Sequence, residues 1–477
     1  MAVSRFPFFL YPEVIMNKEL LQKIDSRIEA ARGELAETTI EMVNIKSVRG
    51  EAAPGAPFGA GPRKVLDTML EKGRDAGFYT VDYNVGVVSL AMKDSEPDLG
   101  IWLHGDVVPE GDGWNFEPYN AVEYKGCIIG RGATDNKGQM ASIYHLLRIF
   151  KDLNIDLKYN PALYVGSCEE TGMEDVRGFI KKYQPPKLSL VPDSSFPAAY
   201  GGRGSVKAIL RSKTPLEGFS LTAGQDASPG RAMAVFSPQE NFPDQLPECA
   251  VEKQADGSIS VTAEVLPMHG TTKGNENVIV KICGALGEIS SLSENDRKLI
   301  SALAQIAKDT AAEWLNIAVA EDNVMGPLGM TCRWINWKDG YLEPQVIITY
   351  PLGVEKERIA EKLTAAAEPL GFEVISIPYT KDPYILDPES ETAKMIHRVA
   401  NEVTGDNKPL YIVRGGTYAH FLPNAYACGM DGSLPPEDFA PGFGGAHGRD
   451  EAVSLERLQR AMKIYARILL ELNEMEW

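Results

Sequence analysis

From Asn17 to about Val48 apolar residues recur at spacings of three and four: Leu20, Leu21, Ile24, Ile28, Ala31 and Leu35. That period predicts a helix with one buried face. Residues 51–62, EAAPGAPFGAGP, then read as a loop of Gly, Pro and Ala. Beyond it, helical and strand patterns alternate. Leu66–Ala76 is helical, and Tyr79–Met92 carries β-branched residues in alternation. Asp98–Leu103 is a short apolar strand, Lys137–Leu153 a helix, Ala162–Gly166 a strand, Val176–Lys182 a helix and Leu188–Val191 a strand. Such alternation predicts an α/β domain around a mixed, largely parallel sheet.

After Gly204 the texture changes. Strand-like pieces (Val206–Arg211, Ser258–Val265, Val278–Ile282, Gln345–Thr349, Glu373–Pro378) are mixed with helices near 291–315 and 354–370. From Ser390 the α/β pattern resumes, with a helix at Glu391–Val403, a strand at Leu410–Val413 and a long final helix from Ser454. The reading is a catalytic domain, 16–205 and 385–477, interrupted by an inserted α+β domain at 206–384. Residues 1–15, which include FPFFLYP, read as a short N-terminal extension. No internal repeat or low-complexity segment is seen.

A chain of 477 residues exceeds one ordinary core. Its 44% hydrophobic and 24% charged residues fit a folded protein. The net charge of −18 argues against nucleic acid or anionic lipid, which need a basic surface. It suits small substrates and metal cations. No apolar run approaches the roughly 20 residues of a membrane span. The six Cys are scattered without a CxxC pair, which with no export signal points to the cytoplasm.

Polar residues with chemistry cluster at predicted strand ends. His104 follows GIWL, Glu169 and Glu170 follow ALYVGS, and Asp193 follows LSLV. Ligands bind beyond the carboxyl ends of strands in open α/β sheets. Asp135 in GRGATDNKG and His447 in AHGRDE complete a set of His and carboxylates of the kind that holds zinc. Each has an ordinary reading alone. His104 and Asp106 are a strand-end hydrogen-bonding pair, Asp135 a helix N-cap, and Glu169-Glu170 a solvated acidic turn. Asp106, two residues from His104, is placed to fix its ring. If one Glu of the pair ligates metal, the other is free as a general base. His145 and His397 lie within helices and read as structural or surface residues, whereas His420 follows the GGTYA loop.

In combination, HGDVVPEGDGW, GRGATDNKG, the Glu-Glu pair, VPDSS, GGTYA and the late His resemble the co-catalytic zinc exopeptidases. That family includes aminoacylase, carboxypeptidase G, ArgE and DapE, and the PepV-type dipeptidases are its most similar branch. The resemblance covers nearly the whole chain from about residue 17. It implies that His104 and Asp193 bind one zinc, Glu170 and His447 the other, and Asp135 both, with a cis peptide to Asn136. Asp106 would orient His104 and Glu169 would be the general base. The insertion would be an enlarged ferredoxin-like lid whose His269 stabilises the oxyanion, supplied within one chain as in PepV. A monomer is favoured over a dimer on that ground.

The resemblance implies a dipeptidase, with an N-acyl-amino-acid or N-carbamoyl amidohydrolase as the alternative and an inactive metal-binding module as the reading from another class. Cobalt or manganese could replace zinc on the same ligands. Two departures touch substrate binding. Thr349, in IITYPLG, stands where relatives often have a carboxylate-gripping Arg, and GQDASPGRA lacks the family's Asn. Arg203, Arg231 and Arg414 are candidate replacements, with Arg414 first, beside the expected substrate loop Gly415, Gly416 and Thr417.

Overall fold

The computed structural model describes residues 18–224, 230–265, 276–430 and 434–477. The expected extension at 1–15, the altered segment around Ser228 and the lid His269 lie outside the described residues.

Nine strands form one mixed sheet. Its centre is parallel, with Pro161–Gly166, Leu99–His104, Leu188–Ser194 and Ala425–Gly429 side by side in that order. Antiparallel strands extend both edges: Val87–Ala91 and Tyr79–Asp82 on one side, Ala199–Gly202 and Tyr384–Ile385 on the other. Tyr411–Val413 adds a parallel pairing to Ala199–Gly202. Every residue of LGIWLH and PALYVG is buried, as expected for strands covered on both faces. Successive side chains alternate between those faces. Ile101, Leu103, Leu163 and Val165 pack with the helices Lys18–Ala30, Gly138–Asp152 and Leu455–Leu472. Trp102 and Tyr164 point the other way, stack at 4.2 Å and meet Phe179 of the helix Glu174–Ile180. Burial of each such large side chain contributes about 1.5–3 kcal/mol.

Several expected boundaries shift. The first helix is two, Lys18–Ala30 and Arg32–Val43. The next begins at Ala60 rather than Leu66, because Pro62 falls in the first turn, where backbone N–H groups have no intrahelical partner. The pattern at Tyr79–Met92 is a hairpin, turning through Asn84 and Gly86, both at positive φ.

The second sheet has eight strands, all antiparallel, between Gly204–Ser212 and Phe372–Lys381 in the chain. A single ferredoxin-like unit has four. Burial alternates along Tyr341–Tyr350, so one face is dry. The helices Val278–Gly287, Glu294–Lys308 and Lys356–Ala367 cover it. The first of these corrects a sequence expectation, since Val278–Ile282 reads as a strand and is helical. Val278, Ile279, Ile282, Cys283 and Leu286 are buried at helical spacing. Asn277 starts the helix by accepting from Ile279 N at 3.0 Å, and its amide donates to Ala307 O and Cys332 O. Capping and packing outweigh the strand preference of a β-branched run.

A small sheet joins Val122–Tyr124, Cys127–Ile129 and Ala452–Ser454. It brings the stretch after His447 against the loop before Asp135. No helix among the described residues is long and apolar enough to cross a membrane.

Candidate active site

His104 ends its strand, Glu169 and Glu170 follow the strand Pro161–Gly166, and Asp193 lies near the end of Leu188–Ser194. The parallel centre therefore delivers four polar side chains to one edge. Asp135 arrives from a single π-turn, Ala133–Lys137, ahead of the helix Gly138–Asp152, and its peptide bond to Asn136 is cis. His447 comes from the far end of the chain with φ at 61°.

These side chains converge. His104 Nε2 lies 2.9 Å from one oxygen of Asp135 and 3.9 Å from Asp193. His447 Nε2 lies 3.2 Å from the other Asp135 oxygen and 2.9 Å from Glu170. Asp135 thus stands between two His, one on each oxygen. His104, Glu169 and Asp193 form one metal-competent group, and His104, Asp135 and Glu170 another. Neighbouring ligands on one tetrahedral zinc sit about 3.3 Å apart, given bonds of about 2.0–2.1 Å. The donor spacing fits that.

The charges argue the same way. Burial, then Asp193, pushes the Glu169 carboxyl well up. Burial and Asp135 push Asp193 up to about 8, and burial also raises Glu170. Asp135 alone moves well down: His104 and His447 more than offset its burial. Burial works to lower both His, yet the carboxylates hold them well above the ordinary value. So many buried acids around two imidazoles call for added positive charge, and cations can replace the imidazole protons. The chemistry of the donor set fits two divalent ions.

Supporting contacts fix the geometry. His104 Nδ1 donates to the backbone oxygen of Asp106 at 3.0 Å, leaving Nε2 to face the site. The Asp106 carboxylate stands 3.5 Å from that ring. It also accepts the backbone N–H of Glu169 at 3.0 Å and of Glu170 at 3.1 Å. Asn136 donates to Asp193 at 2.8 Å.

Sequence reasoning passed over several residues. Glu451 accepts from Gly132 N, Thr134 N and Asp135 N, and pairs with buried Arg131 at 2.7 Å. It holds the Asp135 turn from the position just before the strand Ala452–Ser454. Its signal was present in AHGRDE. Asp175 accepts from Ser167 N, Cys168 N and the Tyr418 hydroxyl, fixing the turn before Glu169. Nothing in the sequence pattern singled it out. Lys381, ending the strand Phe372–Lys381, is buried beside the GGT loop.

Thr417 caps the short helix Tyr418–His420, Gly415 O accepts from Lys381, and Arg414 is exposed. His145 and His397 are structural as expected: the first bonds Thr38 at 2.9 Å and the second Lys408 O at 2.9 Å. His420 is tucked under the loop, 3.1 Å from Arg203 O.

The sequence profile of peptidase family M20/M25/M40 matches residues 101–471. The chain belongs to that family. Membership makes it a metallopeptidase, and the profile spans both segments that contribute to the converging side chains. A relative from Bacillus subtilis (strain 168), named "Putative dipeptidase YtjP", is 27% identical over 469 residues, 92% of this chain and 97% of its own length. Human carnosine dipeptidase 1 shares the fold with a TM-score of 0.62 at 16% identity, over 95% of this chain and 100% of its own. So does the M20 family metallo-carboxypeptidase Sso-CP2 from Sulfolobus solfataricus, with a TM-score of 0.56 at 15% identity over 93% and 100%.

Proposed function

We propose that this family member is a dipeptidase that holds two zinc ions, His104 and Asp193 on one, Glu170 and His447 on the other, with Asp135 on both. The observation that carries the reading is Asp135 set between the two His, with the buried Glu169 Oε1 unbonded among the described residues. Bound there, the two cations supply Lewis acidity for the amide carbonyl and lower the pKa of water.

This chain's residues do the rest. Asp106 holds the Glu169 backbone so that its free carboxylate oxygen faces the attacking water and takes a proton. Glu169 then hands that proton to the leaving amine. Glu451 and Asn136 keep Asp135 and Asp193 from turning away. Gly415, Gly416 and Thr417 line the substrate side, and His269 is assigned to the oxyanion. Zinc is the ion assigned here, and cobalt or manganese would fit the same mixed His and carboxylate set.

The catalytic unit is assigned to 16–205 and 385–477 and the lid to 206–384; the two separate sheets support a division of this kind, the lid sheet starting at Gly204 and the catalytic sheet resuming at Tyr384. A monomer is assigned on the resemblance of the enlarged lid to the PepV arrangement, in which the lid supplies this His to its own chain's site. A cytoplasmic location is supported by free thiols at Cys127, Cys168, Cys249, Cys283, Cys332 and Cys428.

The test is a dipeptide library with the zinc-reconstituted full chain, read by mass spectrometry. Cleavage confined to substrates with a free N-terminal amine is the expected outcome. Cleavage of N-acyl or N-carbamoyl amino acids in preference to dipeptides would sink the reading.

A further inference from the structure

Four cations are candidates for the charge that Thr349 does not supply. Arg203 donates to the backbone oxygens of Pro327 and Thr349. Arg231 lies exposed, 3.7 Å from Glu264. Arg414 is exposed. Lys381 differs: it is 4% exposed, and among the described residues no carboxylate lies within ion-pair distance of it. Its Nζ meets Gly415 O at 2.7 Å and His420 Nε2 at 3.3 Å. An ammonium has three N–H groups, so even with both neutral partners one remains.

A buried cation with neutral partners alone is costly unless an anion arrives. Burial pushes the Lys381 amine down to about 7, while the nearby Glu169 carboxylate acts to raise it. The space beside the amine is kept open by Gly416, where a Cβ would sit 3.1 Å from Nζ. Substrate geometry adds the last element. In a dipeptide the terminal carboxylate is two bonds from the scissile nitrogen. A group that binds it must lie close to the base that protonates that nitrogen: Gly416, which faces the Lys381 amine, also faces Met173, whose Cε would lie 3.2 Å from the same Cβ, and Met173 N donates to the oxygen of Cys168, the residue before Glu169.

Building on the dipeptidase reading, we propose that Lys381 binds the C-terminal carboxylate of the substrate, supplying the positive charge that Thr349 does not. It is a specificity residue delivered by the last lid strand, so the grip on substrate and the position of the lid are linked through one side chain.

The test uses the full-length zinc-loaded protein with Ala-Leu and Ala-Leu-amide, which differ at the terminal group alone. The wild type is expected to prefer the acid in kcat/KM by about 10- to 100-fold. Lys381→Met should erase that ratio, chiefly by raising KM for the acid, and Lys381→Arg should restore part of it. A purely structural role would weaken both probes alike and leave the ratio intact. Should Met disturb folding by thermal melting, Lys381→Gln keeps a donor for Gly415 without the charge. A ratio that survives loss of Lys381, or a wild type that treats the probes alike, overturns the assignment. Calorimetry with the same probes on zinc-loaded Glu169→Gln protein separates the two layers. Absence of dipeptide cleavage by the wild type removes the dipeptidase reading. A Lys381-dependent preference in binding supports the Lys381 assignment on its own, and a preference independent of Lys381 overturns it.

Discussion

Glu169 and Glu170 are chemically alike and sit one residue apart, yet their surroundings divide their work. Glu170 is in contact with His447, whereas an oxygen of Glu169 is buried with no partner among the described residues. Glu169→Gln is therefore expected to lower kcat by roughly 10²- to 10⁴-fold. Metal content by elemental mass spectrometry should be unchanged. Asp135→Asn is expected to fail on both counts, because Asp135 faces both His. At this scale much is legible in the sequence. His104, Asp135, Glu170, Asp193 and His447 are ordinary one by one but stand out together, at strand ends and glycine-flanked turns, and they converge. Asp175 is not legible: its importance comes from a turn it caps through space, and a lone Asp after MetGlu carries no such mark. Lys381 is hidden in the same way, since a lysine ending an amphipathic strand usually means a solvated edge.

Among elements, helix pairs show how polar contacts tune packing. His145 of the helix Gly138–Asp152 is buried against Thr38 of the helix Arg32–Val43. Burial, aided by Arg148, holds its imidazole down at about 4. The unfolded chain keeps a value near 6.5. The unfolded state thus binds the extra proton between those values, so the stabilisation is complete above about pH 6.5 and is lost as pH falls toward 4. Urea unfolding at pH 7 and pH 5 should show a loss of about 2 kcal/mol that His145→Gln removes. The helix Val278–Gly287 offers a second check. Asn277→Ala deletes the cap and leaves the Ala307 and Cys332 oxygens without that donor. The cost should be about 1–3 kcal/mol, seen as a lower urea midpoint with an unchanged slope. That helix also marks where sequence reading falters. Val278–Ile282 has strand-like residues, and what decides otherwise is an Asn whose partners lie far along the chain.

Taken whole, the molecule draws its proposed ligands from both sides of the lid insertion. Bound ions then tie the two catalytic segments together, so removing them should loosen the entire protein. Dialysis against a chelator is expected to lower the melting temperature, and zinc to restore it. Binding at 100 times the dissociation constant is worth about 2.7 kcal/mol of stability. Equal melting temperatures with and without metal would count against ions bound between the segments. At this scale the alternation of helices and strands is enough to read an α/β unit with an insertion. The eight-stranded extent of the lid sheet depends on pairing between distant segments, which periodicity does not encode, whereas the hairpin at one edge is local and is hidden by a strand-like run that its turn interrupts.

The strand Ala425–Gly429 sits between Leu188–Ser194 and Ala199–Gly202, two strands almost adjacent in the chain. A ribosome delivers those two early and their middle partner only after the whole lid. Until then the nascent sheet exposes an unpaired buried-type edge, a template for pairing with a neighbouring chain. Synthesis of this protein therefore passes through a long interval in which its central parallel sheet is open. Its yield in a cell depends on how fast translation, or a chaperone, carries it to the closing strand.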